Sequence, residues 1–190
     1  MTEWSSRKSP QGEALIAQVK KRAKNLYLTR QLLCAEAVLV TINKGFDGGL
    51  SDSQAVAMAA PFCMALGESG CVCGALSGAI LSCGLMGAKG EPYHYRRNMR
   101  ESARQLHDAF KSANGATCCR TLIRDVEHDR NAHFQQCANF TAEATEMAAR
   151  LILYKRPELI KSADNGFLNR SDTKIDAAMA CLLRLFNFKK

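Results

Sequence analysis

Apolar residues recur every three or four positions along most of this chain, which is the spacing of amphipathic helices. The first such stripe predicts a helix over about residues 12–28, and its members are Leu15, Ile16, Val19, Ala23 and Leu26. No stretch alternates apolar and polar residues over the length of a strand. The pattern therefore predicts an all-α fold, a single-domain bundle of about seven or eight helices with a buried helix rich in glycine and cysteine.

Capping and breaking residues place the other helices. A second helix is predicted over about 30–43, with Gly45 as its C-cap. Ser51 or Asp52 caps a third helix that ends near Pro61, and Ser171 caps a last helix over 172–186. Between these we expect a helix over about 71–85, then a connector at 90–100 that leads into a helix ending near 111. Two more helices are expected over 118–125 and 132–154, and a loop at 161–170.

The segment 69–88 carries no charge and is about long enough to span a bilayer. It holds Gly74 and Gly78 at the G-x-x-x-G spacing that lets helices pack closely in membranes. Its residues are mostly Gly, Ser and Cys, however, and no aromatic residues flank it. The sequence therefore favours a buried helix over a membrane span, and no membrane association is expected.

The chain divides into three parts. Residues 1–10 are expected to be a flexible polar arm, 11–157 a helical redox domain, and 158–190 a C-terminal loop and helix that pack on the same domain. The N-terminus shows no apolar run behind a positive start, so no secretory signal is predicted. We expect a cytoplasmic protein, and in that compartment cysteines more often serve metal binding or redox chemistry than structural disulfides.

The composition is that of a globular protein, with 47% hydrophobic and 23% charged residues in a chain of 190. This excludes a disordered or collagen-like chain. The 26 Lys and Arg against 18 Asp and Glu give a net charge of +8. This charge is the only feature that favours nucleic-acid binding, so that hypothesis ranks last. The nine cysteines are the outlier, because a chain of this length can bury a core without disulfides.

The spacing of the cysteines excludes several known kinds of site. No pair forms C-x-x-C, so neither a thioredoxin-type dithiol nor a zinc knuckle is indicated, and C-x-x-C-H is absent, so haem is not expected. Cys71 and Cys73, and likewise Cys118 and Cys119, point to different sides of a helix. One member of each pair is therefore predicted to be a site residue and the other a packing residue.

Cysteines far apart in sequence can still meet when helices pack. Four thiolates suit a [2Fe–2S] cluster or tetrahedral zinc. Two of them suit a reversible disulfide. Buried free cysteines also serve simply as small apolar residues. These three site types and plain packing stay open on spacing alone.

Four patches of sequence occur in an order that resembles the redox-active protein family named C_GCAxxG_C_C. They read LLCAEAV at 32–38, CGALSGA at 73–79, CCRTLI at 118–123 and QCANFTAEATEMAARLI at 136–152. The resemblance implies that the family's cysteines correspond to Cys34, Cys73, Cys119 and Cys137. Cys119 is preferred to Cys118 because Arg120 follows it, as in the family.

The same resemblance implies a helical electron-transfer module. It is similar to the non-haem part of split-Soret cytochromes, which implies an iron–sulfur cluster, a homodimer and a redox partner protein. The four family cysteines would then be the ligands of a [2Fe–2S] cluster. The remaining cysteines are extra to the pattern, and they are Cys63, Cys71, Cys83, Cys118 and Cys181.

Elementary helix physics adds two expectations about the glycine motif. Gly74 and Gly78 lie one turn apart on one face, so a partner helix or a cluster can approach closely. Cys73 is placed at the start of that helix, where free N–H groups and the helix dipole are expected to lower the pKa of its thiol. The four histidines at 94, 107, 128 and 133 are expected to lie mostly on the surface.

Overall fold

In the computed structural model of this protein, the described residues are Trp4, 9–87 and 92–179, without the side chains of 92–94. Within these ranges all regular structure is helical, which confirms the all-α prediction. In chain order the helices are α1 (Pro10–Leu28), α2 (Cys34–Gly45), α3 (Asp52–Ala59), a 3-10 turn (Ala60–Phe62), α4 (Cys63–Glu68), α5 (Gly74–Gly87), α6 (Pro92–Asn114), α7 (Cys119–Ile123), α8 (Arg130–Lys155), α9 (Leu159–Ser162) and α10 (Asn165–Leu168).

The glycine- and cysteine-rich helix α5 lies at the centre of the bundle and packs against α2, α6 and α8. Helix α8 also packs along α1, whose predicted apolar stripe from Leu15 to Leu26 is buried. The core contains large side chains from several helices, with Phe46 and Phe110 fully buried. Burial of these apolar faces is the main favourable contribution to folding.

Side-chain caps define where the long helices begin. Ser9 Oγ accepts a hydrogen bond of 3.0 Å from the Gly12 N–H, so α1 begins at Pro10, two residues earlier than predicted. Ser51 caps α3 in a reciprocal pair with Gln54. Asp129 accepts from the N–H groups of Asn131 and Ala132 and starts α8.

Helix α2 begins four residues later than predicted. Arg30 has a left-handed φ of 59°, which ends the helical conformation before residue 34. The Leu33 N–H then donates to Glu36 Oε2 at 2.8 Å, which caps the new helix. This turn makes Cys34 the first residue of α2 rather than an interior one.

Three other predicted boundaries differ from those of the structure. The expected connector at 90–100 belongs largely to α6, which begins at Pro92. The expected loop at 161–170 contains α10, whose Leu168 is 1% exposed and packs against Gly45. The helix at the end of the described chain starts at residue 174 with Thr173 as its cap, not Ser171. Cys181 lies outside the described residues, as does most of the predicted N-terminal arm.

The uncharged segment forms a helix, α5, from Gly74 to Gly87, and most of its residues are buried. No described helix combines the length and the hydropathy needed to cross a bilayer. At Gly78, an added Cβ would lie 2.6 Å from the backbone oxygen of Ala35. Helices α2 and α5 are therefore in backbone contact, which only a residue without a side chain permits.

We predict that Gly78→Ala lowers the free energy of unfolding by about 1–3 kcal/mol, because the added methyl group forces the packed helices apart. The measurement is urea unfolding followed by circular dichroism. The matched control is Gly84→Ala in the same helix, where an added Cβ meets no atom within 4 Å. That change is expected to raise the free energy by about 0.5–1 kcal/mol. Equal effects of the two substitutions would contradict the close contact of α2 and α5.

Candidate cysteine site

Four cysteines from four separate segments line one cavity of about 580 Å³. Cys34 is the first residue of α2, Cys73 precedes α5, Cys119 is the first residue of α7, and Cys137 lies in the second turn of α8. These are the four cysteines that the sequence patches single out. All eight described cysteines are free thiols.

The loops that carry Cys73 and Cys119 are joined by backbone hydrogen bonds. The Cys73 N–H donates to the Thr117 oxygen at 2.9 Å, and the Arg120 N–H donates to the Gly70 oxygen at 3.0 Å. These two bonds hold the starts of α5 and α7 side by side. Two cysteines 46 positions apart in sequence thereby reach the same cavity.

Gly74 allows the third thiol to approach. An added Cβ at Gly74 would lie 2.5 Å from the sulfur of Cys34 and 2.7 Å from the Phe62 backbone oxygen. The motif glycine after Cys73 therefore leaves space for the thiol of Cys34 from α2. Gly74 thus allows the segment that carries Cys73 to lie close to the start of α2, which carries Cys34.

Cys73 is placed at the start of α5 as predicted, but its pKa moves in the opposite direction. Burial raises the pKa of the Cys73 thiol to about 12, although N–H groups of Leu76 and Ala75 donate to the sulfur and act to lower it. The residue is 5% exposed. The loss of solvation is larger here than the stabilisation from the helix N-terminus.

Cys137 is held by Tyr27, a residue of α1 that sequence analysis did not identify. The Tyr27 hydroxyl donates to the Cys137 sulfur, while burial raises the pKa of Cys137 to about 11. Burial and the neighbouring Cys137 and Cys34 also raise the pKa of Tyr27. The Tyr27 ring stacks on Phe134 of α8, with the ring centroids 5.0 Å apart, which fixes its position.

The cavity has a basic rim. Arg30, Arg120 and Arg130 line it, and Arg30 lies over the Phe134 ring at 5.0 Å. His133, which the sequence analysis did not assign to the site, also lines it. The missed signal was its position four residues before Cys137, which places both side chains on the same face of α8. Of the other described histidines, His107 and His128 are exposed.

The extra cysteines divide into three environments. Cys63 is 3% exposed, and its thiol donates to the Ala59 oxygen at 3.7 Å. The neighbouring Cys34 and burial raise the pKa of Cys63. Cys83 lies apart from the site, in the wall of another cavity of about 770 Å³ between α5, α6 and α8. Burial raises the pKa of Cys83 to about 12.

Cys71 and Cys118 form a pair at the surface, beside the cavity. The Cys71 thiol donates to the Cys118 sulfur, which raises the pKa of Cys71. The N–H of Thr121 and the contact with Cys71 lower the pKa of Cys118, which is the N-cap of α7. The prediction that one member of each close pair is a packing residue is wrong for Cys71, because Cys71 is exposed.

The described residues contain no group of three or more His, Cys, Asp or Glu side chains close enough to share one metal ion. Cys34, Cys73, Cys119 and Cys137 are all lining residues of the 580 Å³ cavity. A cluster of several metal and sulfide atoms can bridge thiolates that are too far apart to bind one ion. Four cysteine thiols are the donor set that a [2Fe–2S] cluster takes, and in this structure they line one cavity.

A comparison with protein families finds a match over residues 32–151, more than half of the chain. The matching family is described as "Putative redox-active protein (C_GCAxxG_C_C)". The matched range includes all four cavity cysteines and the CGALSG motif. Comparisons with curated proteins and with solved structures give no match.

The raised pKa of Cys73 predicts a pH effect on stability. The thiol titrates near 9.0 when unfolded and near 12 when folded, so between these values the folded protein holds more protons. The free energy of unfolding contributed by Cys73 is therefore fully present below pH 9 and is lost as the pH rises towards 12. Cys73→Ala should flatten the decline by up to about 1.4 kcal/mol per pH unit.

The measurement is urea unfolding of the metal-free protein at several pH values between 8 and 11, with the two curves subtracted. Ionisation of lysines affects both proteins equally and cancels in the difference. Parallel curves for the wild type and Cys73→Ala would show that Cys73 titrates normally in the folded state.

Proposed function

Because this chain belongs to the C_GCAxxG_C_C family of redox-active proteins, we propose that it transfers electrons through an iron–sulfur cluster. The ligands in this proposal are Cys34, Cys73, Cys119 and Cys137, and the cluster is of the [2Fe–2S] type. The observation that carries the proposal is that these four thiols, from four segments, line the same cavity.

A [2Fe–2S] cluster is held by four cysteine thiolates and supplies one-electron oxidation and reduction. The chain supplies one sulfur at the start of each of α2, α5 and α7 and one from within α8. The bundle fixes these segments independently, through the α2–α5 contact and the paired loops at Gly70 and Thr117. A site held in this way keeps its shape during oxidation and reduction, which favours fast electron transfer.

Hydrogen bonds to two of the sulfurs support a charged cluster. The N–H groups of Ala75 and Leu76 donate to Cys73, and the Tyr27 hydroxyl donates to Cys137. Donors that point at cluster sulfurs stabilise the more negative, reduced state. Tyr27 and the two amides are therefore the groups that would set the reduction potential.

Three arginines at the rim of the cavity supply positive charge, which balances the negative charge of the thiolates that bind a cluster. Arg30, Arg120 and Arg130 all line the cavity. Their charges favour an anionic centre and attract a redox partner protein with an acidic surface. We place the docking site for such a partner at this rim.

A reversible disulfide within the same site is the second candidate. The position of Cys63 beside Cys34 favours it, because the Cys34 sulfur and the Cys63 Cα both lie within 4 Å of a Cβ added at Gly74. In that case Cys34 would change between thiol and disulfide, and Cys73, Cys119 and Cys137 would not be required for redox activity. The two candidates therefore differ in which cysteines matter.

Anaerobic purification with iron and sulfide analysis tests the proposal. We expect about two iron and two acid-labile sulfide atoms per chain, with visible absorbance. Cys73→Ser and Cys137→Ser should each lose most of the iron, because each removes one of four ligands. Cys83→Ser is the matched control, since Cys83 is equally buried but lies in the other cavity, and it should keep the iron.

Protein that keeps no iron, shows no visible absorbance and has all thiols free would overturn the cluster proposal. A Cys34–Cys63 disulfide that forms on oxidation and is unaffected by Cys137→Ser would support the second candidate instead. Loss of iron in the Cys83→Ser variant would also count against the four assigned ligands.

A further inference from the structure

Cys71 and Cys118 lie in contact at the surface and are not needed by the proposed cluster. Both are extra to the four motif cysteines, and each is close in sequence to one of them, Cys73 or Cys119. Cys71 is exposed and Cys118 is partly exposed, so packing of an apolar core does not explain the pair.

The backbone holds the two thiols opposite each other. The hydrogen bonds from Arg120 N–H to Gly70 oxygen and from Cys73 N–H to Thr117 oxygen lie on either side of the pair. The Cys118 thiol also donates to the Gly70 oxygen at 3.2 Å. Two segments about 48 positions apart are thus fixed in register at the point where the cysteines meet.

Gly70 permits this close approach. Its φ is +87°, in the left-handed region, and an added Cβ would lie 2.6 Å from Arg120 Nη2. The Ser69 hydroxyl bonds to the Cys71 and Ala65 oxygens at 2.8 and 2.9 Å and further fixes the loop. Gly70 connects the two cysteines, because its carbonyl oxygen accepts from the Cys118 thiol and its peptide bond leads directly to Cys71.

We propose that Cys71 and Cys118 form a reversible disulfide, a second redox site that exchanges with low-molecular-weight disulfides. One protein thiolate attacks a sulfur of the small disulfide, so that a mixed disulfide forms and one small thiolate leaves. The other protein thiol, after losing its proton, attacks the mixed disulfide and displaces the second small thiolate. The two released thiolates take up the two protons.

The net step oxidises Cys71 and Cys118 by two electrons and reduces one small disulfide to two thiols. The new bond also links the loop before α5 to the loop before α7. These loops carry Cys73 and Cys119, so the disulfide fixes one wall of the cavity. This site does not depend on a cluster, because neither cysteine is among the four proposed ligands.

The test treats the full chain, as purified under anaerobic conditions, with increasing ratios of oxidised to reduced glutathione. Intact mass and fragment analysis should find a loss of two hydrogens and a link between Cys71 and Cys118, reversed by excess reduced glutathione. Cys71→Ser and Cys118→Ser should each abolish the link and instead trap one glutathione. Cys83→Ser should form the link as the wild type does.

Iron content, measured in the same samples, separates this proposal from the cluster proposal. Cys71→Ser and Cys118→Ser should keep their iron, whereas Cys137→Ser should lose it and still form the link. Two outcomes would overturn the dithiol proposal. One is that both thiols remain open to alkylation at every glutathione ratio. The other is that the oxidised wild type loses two hydrogens but fragment analysis finds the link only between other cysteines.

Discussion

The close contact between α2 and α5 is the constraint on which the cysteine site depends. Gly78 brings α5 against the backbone of Ala35, and Gly74 leaves space for the sulfur of Cys34. With these two helices fixed, α8 packs across both and brings Cys137 to the same cavity. A side chain at either glycine would separate the walls of the site, so the glycines of the motif and its cysteines form one structural unit.

Burial determines the chemistry of the thiols in this unit. Loss of solvation raises the pKa of Cys73, Cys119 and Cys137 although N–H and O–H donors point at two of these sulfurs. Neutral thiols that accept hydrogen bonds from N–H and O–H groups suit a metal centre, because a positively charged metal displaces the thiol protons when it binds. At the surface the opposite holds for Cys118, whose pKa is lowered by helix N–H groups. The fold thus buries Cys73 at the start of α5 and leaves Cys71, two residues earlier, exposed.

The helices could be inferred from the periodicity of the sequence, and the four cavity cysteines from the resemblance to the family, because cysteine spacing alone left the type of site open. The turn at Arg30 that makes Cys34 the first residue of α2 could not, since its left-handed φ leaves no local signal. The Cys71–Cys118 contact was also missed, because it depends on hydrogen bonds between loops far apart in sequence. Tyr27 comes to Cys137 only through the packing of α1 on α8. His133 is different, as its spacing from Cys137 was visible.

The central claim is that the four cavity cysteines bind an iron–sulfur cluster. Crystals of anaerobically purified protein, with diffraction data collected on both sides of the iron absorption edge, test it most directly. The account predicts a strong anomalous peak inside the cavity that marks iron atoms bonded to the sulfurs of Cys34, Cys73, Cys119 and Cys137. An empty cavity in iron-replete protein, or iron bound to other residues, would contradict it.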